Sequence, residues 1–550
     1  MDGTSGRRRE HWGTRVGVIL AVAGSAVGLG NFLRFPGVAA QNGGGTFMIP
    51  YFCALLFVGL PICWAEWTMG KYGGMFGFNS CPAIFGAIGR RPIWRYIGVL
   101  GILVPVGILM YYVLIESWCL GYAVSYLCGT IDLGGDPAAW AQRSGEHFTR
   151  FVGADQDGIM LSGGIHPSVI FWVLTFAVNF FLIFRGLEKG IEKVCTWGIP
   201  LMALCAFIVL ARVLTLGTPD PAQPDRSVIN GLGFMWNPKP VAGEEPWYVV
   251  LANPQVWMSA ASQIFFSLSV GFGVIINYAS YLRRKDDVVL SGLTASATNE
   301  FFEVCLGGLI TIPAAFVFLG AAIPMSSSFD LGFKTLPVVF MHMKFGNFFG
   351  FLWFFMLFLA AITSSLSMLQ PAIAFLEEAL GIGRRASVAV LGLATVGGSL
   401  FIVYFSKNLA ALDTMDFWVG TALIFVLATC QVILYAWVLG VEKGGAIAAE
   451  GAELRQPRVF KFIVKYVSPV YLLAVFVMWC SIKLPGYVKD LAGGGVPLLT
   501  VGMIAGLAIF LLLLISVGGR RWNAETRPEP RLGDVAPPSR EDVKGWEDAI

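Results

Sequence analysis

The 550-residue sequence predicts an all-α integral membrane protein of about twelve spans, arranged as a five-plus-five inverted repeat with helices one and six unwound. Three observations predict it. Composition is the first: 56% of residues are apolar and 13% charged, with a mean hydropathy of +0.70, where a soluble protein carries about 25% charge. The second is the recurrence of uncharged runs such as 99–115 and 492–519, since a bilayer crossing takes about 20 apolar residues. The third is a pair of Gly-x-Gly interruptions, Gly28 with Gly30 and Gly271 with Gly273, in apolar segments five spans apart. Five is odd, so two repeats of five spans enter the membrane from opposite sides and bring the two breaks face to face.

Span starts fall near Val16, Met48, Ile97, Ile170, Ile199, Val256, Val289, Phe348, Val388, Phe417, Val467 and Val496. Basic clusters follow every second span: Lys71 with Arg90, Arg91 and Arg95, then Arg185 with Lys189 and Lys193, Arg283 to Lys285, Arg384 with Arg385, Lys443 with Arg455 and Arg458, and Arg520 with Arg521. Positively charged loops stay inside, so both termini are expected in the cytoplasm of a multi-pass plasma (inner) membrane protein. No cleavable signal pattern follows the basic start at Arg7, Arg8 and Arg9. A single membrane domain is expected over 1–519, with repeats over about 12–216 and 254–440 and two further helices in 459–519. The remainder, 520–550, mixes charge with Pro528, Pro530, Pro537 and Pro538 and reads as a disordered tail.

Span one holds the stretch 24–36, GSAVGLGNFLRFP. Each glycine weakens a helix by about 1 kcal/mol relative to Ala, and Asn31 and Arg34 place an amide and a charge in apolar surroundings. Intramembrane polar residues of this kind mark function, and broken backbone is tolerated at that depth only inside protein or beside a wet cavity. A turn at Asn42 to Gly45 leads into span two with Glu66 and Lys71. Span three carries Tyr111, Tyr112 and Glu116, and a long polar loop covers 129–166. Glu66 and Glu116 read as pairs or caps within the bundle, Asp413 as a solvated helix-end charge and Tyr111 as a packing residue outside the site. Gly190 and Pro200 would loosen the start of span five, because proline removes a backbone donor. Span six reads FFSLSVGFG over 265–273, a second break with Ser267 and Ser269 beside it.

Other chemistries find little support. The ten cysteines are scattered without a C-x-x-C pair, the four histidines lack partners at ligand spacing, and a net charge of +3 comes with no basic stripe for nucleic acid. There is no nucleophilic triad and no phosphate-cradling loop, so an enzyme is not expected. The breaks have a chemistry of their own. Half-helix N-termini offer free N–H groups and a positive dipole end to a carboxylate. Carbonyls freed at the opposite half-helix ends suit an ammonium group or Na⁺. Neutral oxygens at Asn31, Ser267, Asn299, Thr363 and Ser364 favour a monovalent ion over Ca²⁺.

The stretch from Arg9, Glu10, His11 and Trp12 to Gly45, the run Tyr111 to Trp118, the run Gln263 to Tyr281, and Thr363-Ser364-Ser365 resemble the neurotransmitter:sodium symporter family, most closely its bacterial amino-acid members. The likeness covers nearly all of the chain to about Gly519. It implies sodium-coupled uptake of an amino acid by alternating access. It further implies a first sodium site from the carbonyl of Ala26 with Asn31, Ser267, Asn299 and the substrate carboxylate, and a second from carbonyls of Gly24, Val27 and Ala360 with the hydroxyls of Thr363 and Ser364. The substrate carboxylate would meet the N–H groups of Leu29 and Gly30 and the Tyr112 hydroxyl. Its ammonium would meet carbonyls of Ala26, Phe266 and Ser267, with Ser269 nearby. Ile108, Ile115, Phe272 and Met368 would surround an apolar side chain, which points to a neutral hydrophobic amino acid.

The resemblance also implies gates. Arg34 and Asp416 would close the outer side, with Phe266 and Tyr112 beneath; Arg9 and Glu378 would close the cytoplasmic side with Trp12, Ser280 and Tyr281. The Gly190 to Pro200 spacing is similar to a family motif that unwinds span five. Four positions depart from the family pattern: Ser267 for Thr, Ser25 for Asn, Met368 for a β-branched residue and Glu378 for Asp. Animal members place chloride beside residues matching Tyr51, Gln263 and Ser267. Here Glu303 would supply that charge, implying chloride-independent transport, and its protonation on the return step would add proton antiport. A proton-driven carrier of the same fold and a non-transporting amino-acid sensor are the alternatives. The sequence leaves open which apolar amino acid is carried, the sodium stoichiometry and the oligomeric state, a dimer included.

Overall fold

A computed structural model describes residues 12–162, 166–238, 246–320, 323, 327–482, 484–522, 525–526 and 528. Among these residues the secondary structure is helical throughout. Among the described residues ten helices are long and apolar enough to cross a membrane: Gly44–Met75, Pro92–Leu127, Pro167–Phe184, Leu187–Leu214, Val288–Leu319, Gly346–Leu380, Arg384–Tyr404, Lys407–Ala449, Arg458–Ile482 and Val496–Gly519. These are spans two to five and seven to twelve. Span one is the bent pair Val16–Ala26 and Gly30–Gln41, whose halves diverge by 46°. Span six is split into Pro254–Leu268 and Val274–Ala279, and neither half alone is long enough to cross.

The core forms where spans three and eight pack along their lengths, with the first half of span one against spans five, seven and eight. Glycine sets several of these approaches. A Cβ on Gly307 of span seven would lie 2.0 Å from the Asn31 carbonyl oxygen. Thr311, one turn further on, donates to the Phe32 carbonyl at 3.0 Å. Those carbonyls belong to the wide π turn Gly30–Arg34, so span seven supplies partners for backbone that the break leaves short of them.

Two expectations need adjustment. The loop 129–166 contains an amphipathic helix, Trp140–Val152, which buries Ser144, Phe148 and Val152 at four-residue spacing. Contacts also run on past residue 519. Trp522 is buried edge-on to Phe375 at 6.0 Å, and Glu525 pairs with Arg95 at 3.4 Å. Arg9 and residues 529–550 lie outside the described residues.

Candidate binding site at the two helix breaks

Span one stops at Ala26 because Val27 turns to φ −72°, ψ 96°. The chain resumes as helix at Gly30. Asn31, just inside the resumed helix, reaches back across the break: its Oδ1 accepts from Gly28 N–H at 2.8 Å, the backward direction of the second bond in a capping box. Leu29 N–H points outward and donates to the Tyr112 hydroxyl at 3.2 Å. Gly28 is required here, since a Cβ would sit 2.7 Å from Ser364 Oγ and 2.9 Å from the Tyr112 hydroxyl.

Span six breaks differently, through three residues at positive φ: Ser269 at 54°, Gly271 at 77° and Gly273 at 81°. A non-glycine residue in that region costs about 1–3 kcal/mol and survives only where its surroundings hold it. Ser269 is held by donating to the Ser25 carbonyl at 3.0 Å, so the two breaks are tied directly. Gly271 N–H donates to Glu66 Oε1 at 3.1 Å. Glu66 is therefore a cap, and Glu116 likewise accepts from Asn179 at 2.9 Å.

Between the breaks lies a small cavity bounded by Ser25, Ala26, Gly28, Gly30, Tyr112, Phe266, Ser269, Phe272, Ser364 and Met368. Its volume is about 10 Å³, enough for about one water molecule. Phe266 closes one side: its ring packs on Gly30, where a Cβ would come within 2.9 Å, and Arg34 lies over its other face at 4.4 Å. Beyond Arg34 opens a second cavity of about 180 Å³, lined by Arg34, Gln255, Ser262, Phe417, Trp479 and Tyr487 among others. Ser25, Gly28 and Ser364 line the inner cavity although they were not among the expected pocket residues. Ile108 and Ile115, expected there, are buried on span three one turn either side of Tyr112 but do not border so contracted a space.

Two clusters of oxygen atoms flank the cavity. In the first, one terminal atom of the Asn299 amide lies 3.2 Å from the carbonyl oxygens of both Ala26 and Ser267, and the other lies 2.7 Å from Ser267 Oγ. An amide oxygen there faces two further acceptors and calls for a cation; an amide nitrogen there closes the set by donating to both. Asn31 joins through Nδ2, 2.8 Å from the Asn299 amide. In the second cluster Ser364 Oγ lies 3.2 Å from the Gly24 carbonyl and 3.1 Å from that of Ala360, with Thr363 Oγ1 3.0 Å from the latter. Val27 lies on the same turn of span one as Gly24.

Glu303 sits behind the first cluster on the π turn Phe301–Gly308. It accepts from Gln263 at 2.9 Å and from Asn31 at 3.3 Å. Tyr51 donates to Glu300 at 2.7 Å and also lies against Glu303. Glu300 was missed; its position one turn before Glu303 and next to Asn299 was the available signal.

The expected gates are only partly assembled. Arg34 and Asp416 form no ion pair. Arg34 donates to Ser262 at 3.3 Å, while Asp416 accepts from Tyr111 at 2.7 Å, in a niche that Gly420 keeps open. Tyr111 therefore lies outside the cavity, as expected, yet holds Asp416, one of the two residues expected to form the outer gate. Asp413 is exposed. At the opposite end Glu378 accepts from Asn79 N and Ser80 Oγ at 2.5 Å and from Ser80 N at 3.3 Å, the two residues just ahead of the helix Cys81–Gly89. Its expected partner Arg9 is outside the described residues. Trp12 Nε1 donates to the Tyr278 carbonyl at 3.1 Å and its ring meets Tyr278 edge-on at 5.0 Å. Ser280 donates to Asn79 Oδ1 at 3.0 Å, and the Tyr281 hydroxyl accepts from Gln370 at 3.1 Å.

A family model described as the sodium:neurotransmitter symporter family matches residues 9–210 and 139–518. The chain belongs to this family. It is a family of sodium-dependent transporters, not of enzymes, and membership implies use of sodium. Among relatives of this symporter, an uncharacterised sodium-dependent transporter of Methanocaldococcus jannaschii is 29% identical over 474 residues, covering 85% of this chain and 89% of the relative. The sodium-dependent serotonin transporter of Drosophila melanogaster is 26% identical over 590 residues, covering 96% and 88%. In fold, the symporter is similar to MhsT solved in complex with L-phenylalanine, with a TM-score of 0.72, 24% identity, and coverage of 86% of this chain and 99% of that one.

Proposed function

We propose that this symporter imports a neutral hydrophobic amino acid with sodium, by alternating access and without chloride, and that both termini face the cytoplasm. The observation that carries the reading is the pair of facing helix breaks, tied by Ser269 to Ser25 and flanked by two acceptor clusters. A zwitterion suits them. Its carboxylate would take the N–H groups of Leu29 and Gly30 and displace Tyr112 from Leu29. Its ammonium would take the carbonyls of Ala26, Phe266 and Ser267 beside Ser269. Phe266, Phe272 and Met368, with Ile108 and Ile115 behind, would receive an apolar side chain. MhsT, similar in fold, holds L-phenylalanine, which fits that class.

Sodium would enter each oxygen cluster. In the first, the amides of Asn31 and Asn299 would turn their oxygens inward to join Ala26, Ser267 and the substrate carboxylate; sharing that carboxylate makes ion and substrate hold each other. In the second, Gly24, Val27, Ala360, Thr363 and Ser364 would bridge spans one and eight. The cavity of about 10 Å³ is too small for any amino acid, so entry requires Phe266 and Arg34 to swing into the 180 Å³ space above.

The test is uptake of the twenty amino acids by proteoliposomes under a gradient of NaCl, KCl or sodium gluconate. Accumulation of apolar amino acids in both sodium salts and not in KCl is expected. Binding without accumulation would make the chain a sensor, and accumulation indifferent to sodium would make it a proton-driven carrier. Replacing the carboxylate by Glu303→Gln leaves Gln263 and Asn31 facing a neutral group, and uptake should then require chloride. Uptake by that variant in gluconate at the parental rate would remove Glu303 from this role. Alkalinisation of the liposome lumen during uptake, with matching acidification of the outer buffer, would assign proton antiport.

A further inference from the structure

Span eight carries four hydroxyls within five residues: Thr363, Ser364, Ser365 and Ser367. All four turn back on their own helix. Thr363 Oγ1 and Ser364 Oγ lie 3.0 and 3.1 Å from the Ala360 carbonyl, Ser365 Oγ 3.1 Å from that of Ile362, and Ser367 Oγ 2.9 Å from that of Thr363. Hydroxyls placed this way compete with the helical ladder and bend it. The second oxygen cluster thus sits on a turn whose own bonding is weakened, and the aim of Thr363 and Ser364 depends on what holds that turn from outside.

Ser365 is the outside hold. Successive helix residues diverge by about 100°, so Ser364 meets the Gly24 carbonyl of span one while Ser365 meets span four. There Ser365 Oγ donates to Asn179 Oδ1 at 2.7 Å. Asn179 Nδ2 donates in turn to Glu116 Oε1 of span three at 2.9 Å and to the Thr175 carbonyl at 3.1 Å. Ser365 also lies against Glu116. The three side chains are no more than 1% exposed. Their directions follow from their chemistry: an acceptor at Glu116 claims the Asn179 nitrogen, which leaves the amide oxygen for Ser365, so the serine donates. Removing any one member strands another polar group in an apolar interior, which makes the knot stiffer than the turn it holds.

We propose that the Glu116–Asn179–Ser365 knot sets the cation affinity of the second cluster by fixing the rotation of span eight about its own axis. This rests on the sodium-coupled reading above. Held by spans three and four, the turn presents the Thr363 and Ser364 hydroxyls to the carbonyls of Gly24 and Ala360 before any ion arrives. Released from them, the same hydroxyls have to be ordered at the moment of binding. None of the three residues touches ion or substrate, so all are positioning residues.

The experiment follows the melting temperature of purified full-length protein in detergent against NaCl, with choline chloride holding ionic strength constant and no amino acid present. Without an amino acid the first cluster lacks the carboxylate that completes it, so the titration reports the second. Lost stability alone lowers the melting temperature at every salt concentration and leaves unmoved the NaCl concentration at which stabilisation sets in. Ser365→Ala should raise that concentration about three- to tenfold, the weight of one neutral hydrogen bond. Asn179→Leu, which removes both bonds, should raise it further, and Glu116→Leu should match it. Glu116→Gln keeps an acceptor for Asn179 and should stay within about twofold of the parent chain. Ser365→Ala and Glu116→Gln carry the test if the leucine variants fail to fold. An unmoved onset in folded Ser365→Ala protein overturns the knot, and so does Glu116→Gln shifting as far as Ser365→Ala. A parent chain that sodium neither stabilises nor drives in proteoliposome uptake overturns the sodium reading itself, and the knot with it.

Discussion

The two ends of the broken helices are closed in unequal ways. At the Trp12 end, closure is dense and largely backbone-based. Trp12 reaches the Tyr278 carbonyl, Glu192 takes three donors from Gly13 and Thr14, and Glu378 takes three from Asn79 and Ser80. At the Arg34 end, a guanidinium rests on Phe266 and holds Ser262 by one long bond, below a cavity of about 180 Å³. Hydrogen bonds to charged groups are worth about 1.5–3 kcal/mol each when made well, whereas an exposed cation–π contact is worth about 0.5–1 kcal/mol. The difference teaches which way the molecule opens first: the Arg34 end needs little more than a side-chain rotation, and the Trp12 end needs helices to part.

The sharpest way to break this comparison is Trp12→Ala. Truncating a buried tryptophan costs about 3–5 kcal/mol, so labelling of Cys195, buried on span five against Gly24, by a methanethiosulfonate reagent in NaCl should rise more than for any substitution at the other end. A smaller rise than that given by Arg34→Ala would reverse the ranking of the two closures. Glu378→Gln keeps the volume but weakens bonds to Asn79 and Ser80, at a cost of about 2 kcal/mol; the same labelling assay should show an intermediate effect. Arg34→Ala should leave Cys195 protected and speed release of radiolabelled substrate only several-fold, as about 1 kcal/mol allows. Tyr111→Phe removes a single bond to Asp416 and should have the smallest effect, again on release and not on labelling.

Much of the fold was legible in the sequence because membrane spans are read from hydropathy and charge, and Gly-x-Gly in such a run has few structural uses. The two breaks stand where the residues suggested. What escaped was pairing across elements. Nothing local distinguishes Tyr111 from Tyr112; they diverge by about 100° around span three, and only the packing of span ten sends one to Asp416. Glu192 reads as an ordinary charge at a helix start until Gly13 and Thr14 are folded against it. Arg34 and Asp416 were expected to meet, and each found a nearer partner. The pocket volume was equally hidden, because it depends on where Phe266 rests and not on which residues surround it.

Asn79 carries a consequence for how such a molecule fails. Its N–H meets Glu378, its carbonyl accepts from Asn277 at 2.8 Å and its side-chain oxygen accepts from Ser280. One short connector outside the spans is thus the knot joining span eight to the second half of span six. Anything that draws this connector aside, from a binding protein to a crowded lipid headgroup, would slacken the knot with every intramembrane residue left in place. The hold on the centre of the molecule is therefore tied partly by residues outside the membrane-spanning segments.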